Sequence, residues 1–344
     1  MRLTTGWQST GNSTALERVP IERRDLRDDD LAVRVDYCGV CHSDLHAIHG
    51  LVGKPTDGLV PGHEFTGTVT AVGSAVTEFA PGDRVAVGTC VDSCGVCDMC
   101  RAGQENYCLR GAVSTYGGTD RIDGTTTKGG YSREYVLRSD FAYRLPEGLE
   151  PAAAAPLMCA GITMWEPLRA AGVGPGSRVA VAGLGGLGHL GVKLAAALGA
   201  EVTVLSRSPG KAADAVSLGA TGFVTEERFA EAFGRFDLIL DTIPGPHDLA
   251  PLLSLLGLDG TLCVVGYPRE VPVQLMNLTF GRKKLTSSGT GGRRGTAEML
   301  AFAAEQGITA DIELLPSARV EEALTRLEKG DVRYRFVLDL ADLG

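Results

Sequence analysis

Residues 178–199 read RVAVAGLGGLGHLGVKLAAALG. An apolar, β-branched run ends at a glycine cluster, and a run of helix-forming Leu and Ala follows. Gly183, Gly185 and Gly188 stand there as G-x-G-x-x-G, with Leu184, Gly186 and Leu187 between them. At a strand-to-helix junction each glycine has a task. Gly183 permits the tight turn, Gly185 lets a pyrophosphate approach the backbone, and Gly188 lets helix and strand pack closely. The helix start adds unpaired N–H groups and the positive end of its dipole. The flanking sequence continues the pattern: strands over AEVTVLS (200–206), FDLILDTI (236–243) and GTLCVVG (260–266), and helices over KAADAVSLG (211–219) and LAPLLSLL (249–256). Apolar strands without strict alternation, interleaved with helices, predict a doubly wound parallel sheet that binds a dinucleotide.

The end of the second strand separates NAD from NADP. A carboxylate there binds the ribose 2′-OH, whereas small and basic residues accept a 2′-phosphate. VLSRSPGK (204–211) offers Ser206, Arg207, Ser208 and Lys211 and no carboxylate. Two positive charges and two hydroxyls suit a phosphate dianion, so NADP is expected over NAD.

Upstream the character differs. Residues 1 to about 150 carry short β-branched runs, among them LAVRVDYCGVC, FTGTVTAVG, DRVAVGTC and YSREYVLRS, separated by turns such as PGHE and APGD. This predicts an all-β module with inserted loops. LEPAAAAPLMCAGITMWEPLRAAGV (149–173) predicts a helix at the change of character. In the tail, Val320, Ala323, Leu324 and Leu327 predict a helix stopped by Gly330, with a final strand after it.

SCGVCDMCRAGQENYC (93–108) places Cys94, Cys97, Cys100 and Cys108 within fifteen residues. The spacing C-x2-C-x2-C-x7-C is what a single tetrahedral zinc asks of its ligands; an iron–sulfur cluster is the rival, and nothing else in the chain suggests electron transfer. Four thiolates leave no open position, so this site is expected to staple a loop and not to react. A second set lies at Cys41, His63 and Cys159. Two thiolates and an imidazole leave one position open, the arrangement of an alcohol-oxidising zinc. Glu64 adjoins His63, and neighbours in extended chain point to opposite faces, so it is read as a reserve or exchangeable ligand. Asp44 is expected to hydrogen-bond His63 and fix its tautomer. Ser43 and His46 form a candidate proton relay, with helix N-capping as the alternative role for Ser43. Cys38, Cys90 and Cys263 are read as core thiols. His42, His49 and His247 are given no role.

The chain has 344 residues and a net charge of -9, with 44% apolar and 22% charged residues. That length suggests two domains with real cores, and the acidic balance without a basic stripe argues against nucleic acid. The N-terminus has no apolar leader and no run is long enough to span a bilayer, so a cytoplasmic protein is expected.

The motifs CGVCHSDLH (38–46), PGHEFTG (61–67), the four-cysteine run, APLMCAGIT (155–163), GLGGLGH (183–189) and LEKGDVRYRFV (327–337) resemble those of zinc-dependent alcohol dehydrogenases of the medium-chain dehydrogenase/reductase superfamily, the cinnamyl-alcohol-dehydrogenase-type branch above all. The resemblance covers essentially the whole chain. It implies a GroES-like catalytic domain over residues 1–152 and 290–344, with the cysteine lobe at 90–110, and a Rossmann domain over 153–289, the active site lying in the cleft between them. It implies metal roles for Cys41, His63, Glu64 and Cys159, two zinc ions per chain, and cofactor contacts at Thr163, Thr242, Gly266, Ser288, Gly289 and Thr290. It also implies a homodimer and NADP-linked oxidation of primary alcohols to aldehydes. Two departures stand out: STYG (114–117) replaces the Trp-Thr-Tyr-Asn of the plant lignin enzymes, and Trp165 replaces a usual tyrosine. A broad aliphatic and aromatic range is therefore expected over cinnamyl alcohol itself. An NAD-linked, polyol or formaldehyde dehydrogenase and a non-catalytic NADPH-binding sensor are the alternatives.

Overall fold

The computed structural model describes residues 1–11, 14–51, 58–268 and 270–344. The chain divides into two compact units, Met1–Cys159 with Gly291–Gly344, and Ala160–Thr290.

The second unit is built on six parallel strands: β1 (Arg178–Ala182), β2 (Glu201–Ser206), β3 (Gly222–Thr225), β4 (Phe236–Asp241), β5 (Leu256–Val264) and β6 (Lys284–Ser287). Their order across the sheet is β3-β2-β1-β4-β5-β6. The order reverses between β1 and β4, the switch point at which open α/β sheets bind ligands. The core between sheet and helices holds Ala180, Ala182, Leu205, Ile239 and Leu262 with Leu252, Leu253 and Leu255. Of the central strands, β1, β2 and β4 are nearly continuous in burial. β3 and β6 carry little apolar pattern because they are short edge strands, half-buried and largely exposed respectively, and the sequence reading passed over both. The helix expected over 211–219 is shorter, a 3-10 turn Pro209–Lys211 followed by Ala212–Ser217.

The first unit holds a seven-stranded sheet. Its path runs Ile312–Pro316, Arg335–Asp339, Asp30–Val40, Phe65–Val72, Arg84–Val87 and Ala142–Arg144, with Glu134–Arg138 also paired to Asp30–Val40. The C-terminal strand Arg335–Asp339 thus lies antiparallel beside Asp30–Val40, with Phe336 opposite Val40. A hairpin, Arg2–Ser9 with Leu16–Arg23, precedes the sheet. The core gathers Val33, Val35, Phe65, Val85, Tyr131, Tyr135, Phe336 and Leu338.

One expected element is broken. The alanine-rich stretch is not one helix but Pro151–Ala154, a 3-10 turn Ala155–Met158, and Ala160–Ala170. Pro156 lacks the N–H that a continuous helix needs, and Cys159 takes non-helical angles of φ -125 and ψ -68. The break puts the Cys159 thiol where an unbroken helix would not. Among the described residues, no helix is long and apolar enough to cross a membrane.

Candidate active site

Cys41, His63 and Cys159 are all buried, and their ligand atoms lie within 4.8 Å of one another. Each arrives from a different kind of element. Cys41 directly follows the strand Asp30–Val40 and is the N-cap of helix His42–Ile48. His63 follows Gly62, which takes a φ of +96 and leaves no room for a Cβ, since one would sit 2.6 Å from the Tyr131 ring. Cys159 occupies the helix break.

Asp44, fully buried, organises the set. One carboxylate oxygen accepts from Gly62 N and faces His63 Nδ1, both at 3.0 Å; the other accepts from Cys41 N at 3.0 Å and from the Tyr131 hydroxyl at 3.2 Å. The carboxylate holds the proton on Nδ1, so Nε2 is the nitrogen that faces inward, 3.2 Å from Cys159 Sγ. Burial works against a charged His63 imidazole, but Asp44 and Cys41 together outweigh it and lift the ring well above its usual range. The hydrogen bond from Cys159 holds Cys41 well below the usual thiol range, and the Cys41 anion in turn pushes Cys159 up. One thiolate already formed, a second thiol beside it and an imidazole anchored through Nδ1 suit a soft, tetrahedral divalent cation, which displaces the protons on His63 Nε2 and Cys159 on binding.

Glu64 stands outside these three ligand atoms. Its Oε1 accepts from Arg335 Nη2, and both side chains are almost wholly buried. Burial pushes the Glu64 carboxyl up to about 8 against the pull of Arg335, while Glu64 and the two sulfurs keep Arg335 charged. A cation among the three ligands lowers Glu64 again, because the thiolate charge that adds to the rise is then neutralised. Gly39 makes the room: a Cβ there would meet Glu64 Oε1 at 2.4 Å. Tyr116 lies edge-on to His63, ring centroids 5.6 Å apart. Ser43 is exposed on helix His42–Ile48, its hydroxyl 3.7 Å from Cys41 Sγ, and half-buried His46 follows three residues on. Because Cys41 is the N-cap, the capping role considered for Ser43 falls away.

Cys94, Cys97, Cys100 and Cys108 also bring their sulfurs within 4.8 Å, and none is in a disulfide. Cys97 and Cys100 Sγ are 3.5 Å apart. Backbone N–H groups point at the sulfurs, Cys94 N to Cys108 and Leu109 N to Cys97, each at 3.4 Å. Such N–H groups pull Cys97 down to about 6, whereas burial and neighbouring sulfurs push Cys100 up to about 11.

Two family models match the chain: the alcohol dehydrogenase GroES-like domain over residues 27–147 and the zinc-binding dehydrogenase over 186–305. A protein of Bacillus subtilis named probable formaldehyde dehydrogenase is 46% identical over 95% of each chain. NADP-dependent alcohol dehydrogenase C 1 of Mycolicibacterium smegmatis is 46% identical over 100% of this chain and 99% of its own. The structure of a cinnamyl alcohol dehydrogenase from Sorghum bicolor superimposes with a TM-score of 0.96 at 42% identity, over 100% of this chain and 99% of that one. The chain belongs to the zinc-dependent alcohol dehydrogenases of the medium-chain dehydrogenase/reductase superfamily. As in the sequence reading, this dehydrogenase has two zinc sites, one of two cysteines and a histidine and one of four cysteines.

In the dehydrogenase's second unit the glycine turn leaves β1 with Gly183 at φ +90, and a Cβ on Gly188 would lie 2.1 Å from the Gly183 carbonyl. Ser206 ends β2; Arg207 and Ser208 are exposed beyond it, and Lys211 Nζ donates to the Leu184 carbonyl at 2.9 Å. Thr242, Gly266 and Ser288–Thr290 follow the carboxyl ends of β4, β5 and β6, and Thr163 Oγ1 accepts from Thr290 N at 3.3 Å. Sequence reasoning missed Arg335, Tyr131 and Tyr116, and it dismissed His247. His247 in fact pairs with buried Asp241, its Nε2 2.9 Å from Oδ2. The motif LEKGDVRYRFV contains Arg335, yet nothing in its spacing points to a glutamate 271 residues away.

Proposed function

We propose that this alcohol dehydrogenase uses NADP(H) and interconverts primary alcohols and aldehydes over a broad aliphatic and aromatic range. The observation that carries the reading is the buried trio of Cys41, His63 and Cys159 with Asp44 behind it. When bound, zinc polarises the substrate oxygen and the nicotinamide takes or gives the hydride. The protein's part is orientation and proton handling. Cys41, His63 and Cys159 would hold the ion and leave room for a substrate oxygen as a further ligand, and Asp44 would keep His63 Nε2 directed at it. Glu64, held by Arg335, is the reserve ligand. The Ser43 hydroxyl accepts a proton as it donates one, and His46 passes it outward.

Met1–Cys159 with Gly291–Gly344 serves as the catalytic part and Ala160–Thr290 as the nucleotide-binding part. The latter uses the turn Gly183–Gly188, Thr163, Thr242, Gly266 and Ser288–Thr290. Ser206, Arg207, Ser208 and Lys211 take the 2′-phosphate; the absence of a carboxylate at the end of β2 and the NADP-dependent name of the Mycolicibacterium relative support this. The working form is a cytoplasmic homodimer, which light scattering and cell fractionation test.

The deciding experiment is an NADPH-oxidation screen over aliphatic and aromatic aldehydes, repeated after zinc removal and with NADH. Formaldehyde belongs in it because of the Bacillus relative's name. Several aldehydes are expected to turn over with NADPH, activity to vanish on zinc removal and return with zinc, and NADH to be a poor substitute. Equal kcat/KM with both cofactors would remove the role of Arg207 and Lys211; turnover without zinc would remove the reading itself.

A further inference from the structure

Residues 242–249 join β4 to helix Ala250–Leu255 and read TIPGPHDL. Pro244 and Pro246 lack an N–H and Gly245 adds freedom, so the backbone alone fastens this segment poorly. Its fastening comes from side chains. The Asp241 carboxylate is fully buried; Oδ1 accepts from Ile243 N at 3.1 Å, and Oδ2 lies 2.9 Å from His247 Nε2. The other ring nitrogen, His247 Nδ1, is 2.9 Å from the Gly245 carbonyl. Carbonyl oxygen only accepts, so Nδ1 carries a proton, and the contact with Asp241 needs another. The ring and the carboxyl group therefore share one proton in a hydrogen bond that ties the base of the segment to its far end.

The segment is also the common wall of two glycine turns. Thr242 Oγ1 donates to the Ala182 carbonyl at 2.8 Å and sits 2.8 Å from where a Cβ on Gly183 would be. A Cβ on Gly266 would lie 2.2 Å from the Ile243 carbonyl. The Asp241 carbonyl accepts from both Val265 and Gly266 N–H groups, at 2.8 and 3.0 Å. A shift of residues 242–243 therefore carries the Gly183 turn and the Gly266 turn with it.

We propose that His247, clamped between Asp241 and the Gly245 carbonyl, is a positioning residue that holds segment 242–247 in the shape that receives the dinucleotide. This rests on the reading of the Gly183–Gly188 turn as the nucleotide site. Losing the imidazole frees the segment and strands a buried carboxylate, and the effect falls on cofactor affinity.

The test is a fluorescence titration with NADPH of the zinc-loaded protein, wild type against His247→Ala and His247→Gln, with steady-state kinetics alongside. His247→Ala is expected to raise both the NADPH Kd and its KM about tenfold, with the loss in KM and not in kcat at saturating NADPH. His247→Gln, whose amide N–H can still reach Asp241, is expected to recover most of that loss. Asp241→Asn keeps an acceptor but removes the charge, and is expected to weaken binding in the same direction even if the alanine variant does not fold. A role in folding alone would lower Tm and leave Kd untouched. An NADPH Kd within about twofold of wild type in the soluble variants overturns the proposal. A wild type that binds no NADPH overturns the nucleotide reading instead.

Discussion

The two cysteine sites of this dehydrogenase use the same element of chemistry in opposite ways. The lobe takes four sulfurs from one fifteen-residue stretch near the surface, with Cys94 and Cys97 half-buried. The other site takes two sulfurs and a ring nitrogen from positions 41, 63 and 159, all buried. Four thiolates on a divalent zinc leave a net charge near minus two, tolerable beside water, backbone N–H groups and Arg121, whose Nη2 is 3.7 Å from Cys108 Sγ. Two thiolates and a neutral imidazole make a neutral complex, which burial does not penalise, and leave a coordination position unfilled. The lobe closes itself by local chain geometry; the open site exists only when strand, turn and helix break have all been positioned.

That contrast can be broken most decisively at Cys41. Cys41→Ser is expected to take turnover to background while the thermal melt and the lobe's zinc remain, as measured by kinetics and metal analysis together; a fully active variant would end the division between the two sites. Next is Asp44→Ala. Without the carboxylate the His63 tautomer is no longer fixed, and zinc affinity at the open site should fall about 10–100-fold, read by competition with a chelator.

The lobe should answer differently. Cys94→Ser is expected to lower Tm and release one zinc per chain while the folded fraction keeps its kcat. Acid should do the same. Protons compete with zinc for all four thiolates, so a zinc-sensitive dye should register release from the lobe as pH falls, and none at neutral pH. The smallest effect concerns the lobe's own docking. Glu105, buried in the lobe, accepts from Arg293 N at 2.8 Å and so caps helix Arg293–Gln306, whose own N-cap is a glycine. Glu105→Ala should cost about 1 kcal/mol in a denaturant melt without touching chemistry.

Local spacing made the lobe legible from the start, because four ligands in one short loop need no knowledge of the fold. The glycine turn was legible for the same reason: its requirements fall within six residues of β1 and the helix after it. The trio Cys41, His63 and Cys159 was legible only as a set of residue types suited to zinc. Of its surroundings, Asp44 behind His63 was legible too, but Arg335 and Tyr131 were not. Arg335 reaches Glu64 because Arg335–Asp339 lies beside Asp30–Val40 in one particular register, and Tyr131 reaches Asp44 because Gly62 gives it room. His247 looked like an ordinary loop histidine until the end of β4 put a buried carboxylate beside it.

The sequence by itself determined what depends on near neighbours along the chain: the dinucleotide turn, the four-sulfur staple, the identity of the ligands and the broad class of reaction. Only the tertiary structure decided what depends on burial and register: which arginine balances Glu64, which tyrosine backs Asp44, and where an alanine-rich helix breaks to aim a thiol. The physical reason is that turn geometry and ligand spacing are set by a few consecutive dihedral angles. Electrostatic partnership in a low-dielectric interior is set instead by atoms that can lie far apart along the chain, such as Arg335 and Glu64, which strand pairing brings together.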